Sequence, residues 1–170
     1  MKQANSHPAD SAENGAITCA FLADHPHLAE TLAGWAYAEW GHLVPEDTLE
    51  ASIVRFKSRA VRESIPLCLI ALEAGEPVGC VVLKPAEEIT RVGLTPWLGA
   101  LYVRHDRRGR GIAGHLIGFA LGVAKNLGLP RLYLSTVSAE ALYRRHGWQV
   151  LDRFGSAGEH VALMCRESGE

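Results

Sequence analysis

The chain has 170 residues, of which 48% are hydrophobic and 21% charged, and this composition is ordinary for one soluble globular domain with a full core. The formal net charge of −2 argues against general nucleic-acid binding. The charge is uneven, because residues 1–90 contain 6 Lys and Arg against 13 Asp and Glu, whereas residues 91–170 contain 11 against 6. A basic half would suit an anionic ligand and an acidic half a cationic one. An uneven distribution of surface charges without any function explains the same numbers.

The first residues, MKQANSHPADSAENG, are polar and contain no apolar core, so they predict a disordered tail over residues 1–15 and not a signal peptide. No apolar run approaches the length of a membrane span. The four cysteines are widely spaced without a Cys-x-x-Cys pair, and the eight histidines form no ligand spacing such as H-x-x-x-H. We therefore expect a cytoplasmic protein without a metal site or membrane contact, folded as a single domain over residues 16–170.

The N-terminal half predicts a strand, two helices and a β-hairpin. The strand covers residues 16–22, and helices follow over 26–40 and 46–62, because apolar residues recur there at helical spacing. Asp24 is a candidate cap for the first helix. Four cations on the outer face of the second helix, Arg55, Lys57, Arg59 and Arg62, are expected to be solvated. The hairpin pairs LCLIAL with PVGCVVL across the turn EAGE, and a polar loop follows over residues 86–96.

The C-terminal half predicts a strand–helix–strand unit, a short helix and a closing hairpin. These elements cover residues 97–103, 111–127, 131–135, 139–146, 148–153 and 160–165, with a bulge expected at LGA because of its glycine. A strand–helix–strand unit makes its two strands parallel, whereas hairpins make antiparallel pairs. The predicted fold is therefore α/β (α+β), with a mixed and mostly antiparallel sheet of about seven strands, parallel fourth and fifth strands, and helices on both faces.

The segment VRHDRRGRGIAGHLIGFALG places glycines and arginines where a strand passes into a helix. The first N–H groups of a helix have no intrahelical partner, and the helix dipole adds positive charge at the same end. Glycines allow a ligand to approach the backbone, and arginines add fixed positive charge and bidentate donors. This combination predicts a phosphate-binding turn, and the alternative is an exposed basic bend.

Two nucleotide-binding interpretations of this turn lack residues that they require. Gly109, Gly111 and Gly114 match the dinucleotide pattern G-x-G-x-x-G, but the nearest acid after the next strand is Glu140, inside the following helix. The repeated βαβ array is also absent. The Walker pattern G-x-x-x-x-G-K-[ST] does not occur. A nicotinamide oxidoreductase is therefore only a distant alternative.

Read from Arg108, the same turn resembles the R/Q-x-x-G-x-G/A signature of the GCN5-related N-acetyltransferases, the GNAT superfamily. LYVRHDRRGRGIAGHLI is similar to the family's fourth strand, pyrophosphate loop and third helix. LYLSTVSAEALYRRHGW is similar to its fifth strand and following helix, with the Leu-Tyr…Gly-(aromatic) pattern. The order of elements fits from Ala16 to Cys165, nearly the whole chain.

The resemblance implies a binding site for acetyl-CoA between splayed fourth and fifth strands. Pantetheine is expected to pair with the backbone of Leu101, Tyr102 and Val103, like an added strand. The Leu101 N–H is expected to polarise the acetyl carbonyl, and the amine attacks the thioester directly. The pyrophosphate is expected to bind the turn and the start of the helix, which comprise Arg108, Gly109, Arg110, Gly111, Ile112, Ala113 and Gly114.

Tyr143 occupies the position of the family's general acid, which protonates the departing thiolate, although a helix tyrosine that packs its ring on the sheet is the alternative. Thr136 stands where the family commonly has Asn, and its hydroxyl can still donate and accept a hydrogen bond. No general base is assigned. The candidates are His25, Glu39, His42 and Glu46, and the aromatic side chains of Tyr37, Trp40 and Trp97 are candidates to line an acceptor cleft or to pack in the core.

The resemblance predicts an acyl-CoA-dependent N-acyltransferase that moves acetyl from acetyl-CoA to a small-molecule or peptide amine. The alternative is a GNAT-fold module that binds acyl-CoA as a sensor without turnover. Neither nucleic acid nor membrane is an expected partner, and a homodimer is possible because dimers are frequent in the family.

Overall fold

The computed structural model describes residues 15–86 and 93–169. The predicted tail lies outside the described residues except for Gly15, and so do residues 87–92 of the polar loop. The strands are β1 (Ile17–Phe21), β2 (Leu67–Glu73), β3 (Glu76–Lys84), β4 (Trp97–Val103), β5 (Arg131–Thr136), β6 (Gln149–Ser156) and β7 (Glu159–Glu167). The helices are α1 (Ala29–Trp40), α2 (Leu49–Ser58), α3 (Ile112–Asn126) and α4 (Glu140–Arg145). Short 3₁₀ turns cover Leu22–Asp24, Pro26–Leu28, Gly41–Leu43 and His105–Arg107.

Within the described residues, the seven strands form one mixed sheet in the order β1-β2-β3-β4-β5-β7-β6. Strands β4 and β5 run parallel, and every other neighbouring pair is antiparallel. This arrangement confirms the predicted fold class. The closing hairpin inserts its second strand, β7, between β5 and β6.

Helices cover both faces of the sheet, as predicted. On β2, Leu67 and Leu69 pack with the core that contains α3, whereas Cys68 and Ile70 pack with the core that contains α1 and α2. Successive side chains of a strand point to opposite faces, so a strand that is covered on both sides is apolar at nearly every position. This is why the run LCLIAL shows no alternation between polar and apolar residues.

The predicted cap of the first helix is wrong. Asp24 lies in a 3₁₀ turn and forms an ion pair with Arg62, and α1 begins five residues later, at Ala29. The second helix is shorter than predicted at both ends. It begins after Thr48, whose hydroxyl accepts a hydrogen bond from the Ala51 N–H at 3.1 Å, and it ends at Ser58 instead of Arg62.

Cations on the outer face of α2 form ion pairs and are not merely solvated, which corrects the expectation from the sequence. Arg55 forms an ion pair with Asp47 at 2.7 Å, and Lys57 forms one with Glu30 at 2.7 Å. The Lys57 contact joins α2 to α1, because Glu30 lies in the first turn of α1.

Strands β4 and β5 are joined at one end only. Among the described residues, their parallel pairing consists of Trp97 with Tyr133, beside a hydrogen bond of 3.0 Å from the Tyr133 N–H to the Pro96 carbonyl. Beyond this pair the ladder stops, so the remainder of β4 presents a backbone edge to β5 without strand pairing. The predicted splay is therefore present.

The predicted bulge in β4 is also present, but its left-handed residue is not the glycine. The register between β3 and β4 shifts between Cys80 and Val82, so that β4 contains one extra residue. Ala100 has φ +49°, whereas Gly99 is not among the residues with positive φ. A bulge redirects the backbone groups around it, and here it comes directly before Leu101.

Candidate active site

The turn between β4 and α3 combines backbone freedom with unpaired donors. Gly109 and Gly111 have φ of +74° and +78°, a conformation that favours glycine. The first hydrogen bond of α3 runs from the His115 N–H to the Gly111 carbonyl at 3.1 Å. The amides of residues 112–114 precede that bond, so they belong to the helix start that lacks intrahelical acceptors.

Open space lies beside both glycines of the turn. Among the described residues, no heavy atom lies within 4 Å of the position where a Cβ on Gly109 or Gly111 would stand. The turn therefore combines amide donors, the positive end of a helix dipole and room for an anion.

Gly114 has a packing role that the sequence did not reveal. A Cβ at this position would lie 2.7 Å from Cε1 of His146, so the glycine lets the start of α3 approach the residue after α4. Burial lowers the pKa of His146, and the positive charges of Arg145 and Arg166 lower it further. The imidazole therefore favours its neutral form at this contact.

Three of the four arginines in this segment are paired with carboxylates. Arg104 contacts Asp106 at 2.8 Å, Arg107 contacts Glu73 at 2.7 Å, and Arg110 contacts the same glutamate. Carboxylates therefore offset part of the positive charge that these three arginines bring to the turn. The fourth, Arg108, donates from Nε to the Val103 carbonyl at 3.0 Å.

Glu73, at the end of β2, holds two arginines of the turn. It accepts hydrogen bonds from Arg107 and Arg110, which lie 34 and 37 residues away in sequence, and its side chain is only 12% exposed. The hydrogen bonds from Arg110 and then Arg107 lower the pKa of this carboxyl. Glu73 therefore ties the turn after β4 to the end of the β2–β3 hairpin at which β2 passes into β3.

We expect Glu73→Gln to lower the melting temperature at pH 7 by a few degrees, a shift on the order of one lost interaction in a domain of this size. Because the folded-state pKa is depressed, the carboxylate stabilises the fold above its unfolded-state pKa of about 4.3 and loses that effect as the pH falls through the lower folded value. The gap between variant and wild type should therefore narrow at pH 3. Glu76→Gln, at an exposed position in the same hairpin, is the control. A gap of the same size at both pH values would contradict this role.

The candidate cofactor strand lies beside the turn. Leu101 and Val103 pack against the core on the α3 face, and Tyr102 packs on the α1 face. All three belong to the part of β4 that lies beyond its pairing with β5. The structure therefore brings the predicted pantetheine strand and the predicted pyrophosphate turn together.

Tyr143 lies in α4 with only 7% of its surface exposed. Its ring meets the ring of Trp148 edge-on at 5.9 Å, and burial raises the pKa of its hydroxyl far above the ordinary value for tyrosine. The phenol is thus protonated throughout the physiological range. The structure is equally consistent with the alternative, in which Tyr143 only packs its ring, because the ring belongs to the core on the α3 face.

Thr136, the last residue of β5, is held by a local hydrogen bond. Its hydroxyl oxygen accepts the Ala139 N–H at 3.0 Å, just before α4 begins. The hydroxyl proton is left for a second partner, since a threonine can accept and donate at once.

The four candidates for a general base differ in their exposure. Glu39, His42 and Glu46 are exposed, whereas His25 is half-buried beside His27, with 6.1 Å between their ring centroids. None of them is assigned as the general base.

The aromatic candidates for the acceptor cleft divide into two groups. Trp97 is 1% exposed and donates its indole N–H to the Leu94 carbonyl at 2.7 Å, so it is a core residue. Trp40 is half-buried, with its ring 6.3 Å from that of Tyr102. Tyr37 packs its ring against Gly41. Trp35 is half-buried on α1, with its ring centroid 5.4 Å from that of Tyr102.

Within residues 15–86 and 93–169, no three His, Cys, Asp or Glu side chains form a group that is suited to a metal ion. In the same ranges, no helix is both long and apolar enough to cross a membrane.

A family model described as Acetyltransferase (GNAT) family matches residues 26–148, which is most of the chain. The chain belongs to the GNAT acetyltransferase family. This membership confirms the resemblance that the two motifs indicated, and it makes the chain a GNAT-family N-acetyltransferase.

Solved structures agree with the GNAT fold at low sequence identity. An aminoglycoside 6'-N-acetyltransferase complexed with coenzyme A has a TM-score of 0.68 and 17% identity, over 90% of this chain and 97% of that one. A putative acetyltransferase from Salmonella typhimurium, yncA, with its cofactor acetyl-CoA, has a TM-score of 0.69 and 14% identity over 91% and 95%. A GNAT acetyltransferase from Streptococcus pneumoniae has a TM-score of 0.67 and 18% identity over 89% and 99%. A search of curated proteins by sequence gives no match.

Proposed function

We propose that this GNAT acetyltransferase transfers an acetyl group from acetyl-CoA to an amine acceptor. One observation carries the proposal: the free backbone edge of β4 leads directly into a turn of amide donors at the start of α3. An edge without strand pairing suits an extended ligand with amide groups, and a helix start with glycines suits a phosphate. Pantetheine and pyrophosphate occur in that order in acetyl-CoA.

Two segments of the chain are assigned to the two parts of the cofactor. The amides of the segment from Arg108 to Gly114 hold the pyrophosphate, and the backbone of Leu101, Tyr102 and Val103 pairs with pantetheine. The bulge at Ala100 supports a special role for the next amide, because it turns Leu101 out of the regular ladder. The Leu101 N–H then stabilises the negative charge that develops on the carbonyl oxygen.

The transfer needs no covalent enzyme intermediate. Acetyl-CoA supplies the activated thioester, and the neutral amine attacks its carbonyl carbon as the carbon–sulfur bond breaks. Tyr143 gives a proton to the departing sulfur and regains one from solvent, and the acetylated nitrogen loses a proton to solvent. Burial raises the pKa of Tyr143, so the phenol keeps its proton throughout the physiological range and is available as a proton donor.

The structural neighbours that are named aminoglycoside acetyltransferases support an amine acceptor. The acidic N-terminal half, from which α1 and α2 come, suits an acceptor that carries positive charge. A small-molecule amine and a peptide amine both meet these requirements.

We expect acetyl-CoA to raise the melting temperature and NADH to leave it unchanged. A ligand at about 100 times its dissociation constant stabilises the folded state by about 2.7 kcal/mol. Thermal denaturation with each ligand at equal concentration makes the comparison. Equal shifts from both ligands, or a shift from NADH alone, would refute the proposed cofactor. Free thiol released from acetyl-CoA in the presence of an amine panel then separates an enzyme from a sensor.

A further inference from the structure

Three aromatic side chains form a half-exposed surface beside the proposed acetyl site. Tyr102 extends from β4 toward α1, with its ring centroid 5.4 Å from that of Trp35 and 6.3 Å from that of Trp40. The Trp35 ring is tilted by 32° from the plane of Tyr102, and the Trp40 ring stands at 84° to it. We call Trp35, Trp40 and Tyr102 the aromatic surface.

A cation of the chain itself lies on this surface. The guanidinium carbon of Arg108 is 5.7 Å from the centroid of the Tyr102 ring, within the range of a cation–π interaction. The same side chain donates from Nε to the Val103 carbonyl at 3.0 Å. Arg108 therefore covers the Tyr102 ring and a backbone acceptor on the proposed pantetheine strand.

Both contacts of Arg108 conflict with a bound cofactor. The Val103 carbonyl lies on the strand edge that the proposed function assigns to pantetheine. Arg108 also belongs to the turn that is assigned to pyrophosphate, and a guanidinium binds phosphate oxygens more strongly than an aromatic ring or a carbonyl, because both partners are charged. Cofactor binding therefore draws Arg108 away from the Tyr102 ring.

We infer that the vacated ring of Tyr102 binds a cationic group of the acceptor. This inference rests on the proposed function. The attacking nitrogen must be neutral to use its lone pair, so the group on the ring is a second, charged nitrogen. The acceptor class is thus an amine that carries a separate ammonium group a few bonds away, because Tyr102 is adjacent to Leu101 in the strand.

The charge around the aromatic surface agrees with a cationic ligand. Glu39 lies four residues after Trp35 on α1, which places the two side chains on the same face of the helix, and Glu39 is exposed. His105 borders the Tyr102 ring at 6.3 Å on the side of the turn.

Two probes of the same shape test the inference. (3-Aminopropyl)trimethylammonium and 4,4-dimethylpentan-1-amine each have one reactive amine, and they differ in whether a charged nitrogen or a neutral carbon carries the three methyl groups. The preference is the kcat/KM of the charged probe divided by that of the neutral probe, with both values measured by thiol release from acetyl-CoA. We expect the wild type to prefer the charged probe, Tyr102→Phe to keep that preference, and Tyr102→Leu to reduce it by roughly 2- to 30-fold.

Arg108→Ala provides a second measurement that does not depend on turnover. Tryptophan fluorescence follows the binding of the quaternary ammonium probe, since Trp35 and Trp40 border the ring. We expect the wild type to bind the probe more tightly with CoA than without it. We expect Arg108→Ala without CoA to bind the probe more tightly than the wild type does without CoA. Equal affinities of the two proteins without CoA would overturn the displacement of Arg108.

The outcomes separate this inference from the function on which it rests. An equal preference in Tyr102→Leu and wild type, or no preference in the wild type, overturns the inference and leaves acetyl transfer intact. Binding of acetyl-CoA with no release of thiol from either probe also overturns it. Absence of acetyl-CoA binding overturns the proposed function itself. If Tyr102→Leu does not fold, Tyr102→Phe and Arg108→Ala decide the result.

Discussion

Gly111→Asp is expected to abolish measurable CoA binding while the chain remains folded. Gly111 precedes α3 with φ +78°, and its amide belongs to the segment assigned to the pyrophosphate. An aspartate here places a negative charge and a side chain in the space that the phosphate oxygens would occupy. A loss of at least 10²-fold in affinity follows, since one close like-charge contact on a desolvated anion costs several kcal/mol.

Two matched variants separate charge from backbone strain. Gly111→Asn introduces nearly the same shape without the charge, and Asn tolerates a positive φ better than most residues do. Gly128→Asp introduces the same charge and the same kind of strain at the other end of α3, where φ is +71° and no neighbour among the described residues lies within 4 Å of the added Cβ. We expect partial loss for Gly111→Asn and none for Gly128→Asp. Unchanged CoA affinity in folded Gly111→Asp, measured by calorimetry, would move the pyrophosphate elsewhere.

Local sequence signals predicted the strands and the order of the elements well. Strand β4 has the predicted bounds, because the turn signals and the apolar run around it agree. The start of α2 was missed, since the acidic residues Glu46 and Asp47 resemble a first helical turn. Thr48 starts the helix instead, because its hydroxyl satisfies the Ala51 N–H.

Contacts between distant segments could not be predicted. Nothing near Glu73 in sequence indicates that it binds Arg107 and Arg110, and such a pair follows only from the sheet order that brings β2 close to the turn. The contact of Gly114 with His146 has the same origin, because it depends on how α3 and α4 pack. The motifs therefore predicted which backbone segments form the site, and tertiary packing determines where its charged side chains lie.

The position of Arg108 illustrates this division. The sequence placed its positive charge at the phosphate turn, where its backbone does lie. Its side chain extends back along β4 to the Val103 carbonyl and the Tyr102 ring. Only the fold reveals that one residue spans both proposed ligand sites.

Tyr143→Phe is expected to lower kcat by about 10- to 10²-fold at pH 7, with acetyl-CoA affinity nearly unchanged. A free thiol has a pKa of about 8.5, so its release as thiolate at pH 7 costs roughly 2 kcal/mol more than its release as thiol. That difference limits what protonation of the leaving group contributes. Phenylalanine retains the ring and its edge-on contact with Trp148, so the fold should not change. Tyr133→Phe, which removes the hydroxyl of a β5 tyrosine whose ring pairs with Trp97 of β4, is the control.

The pH dependence distinguishes the role of the proton from the role of the ring. Burial raises the pKa of Tyr143 far above its ordinary value, so the wild-type phenol stays protonated at pH 9. The thiolate is already the stable form of the leaving group at that pH, so the deficit of Tyr143→Phe should shrink between pH 7 and pH 9. An unchanged kcat would leave Tyr143 as a packing residue. A loss well beyond about 10⁴-fold would mean that its hydroxyl also orients a substrate, because proton transfer alone contributes less than that.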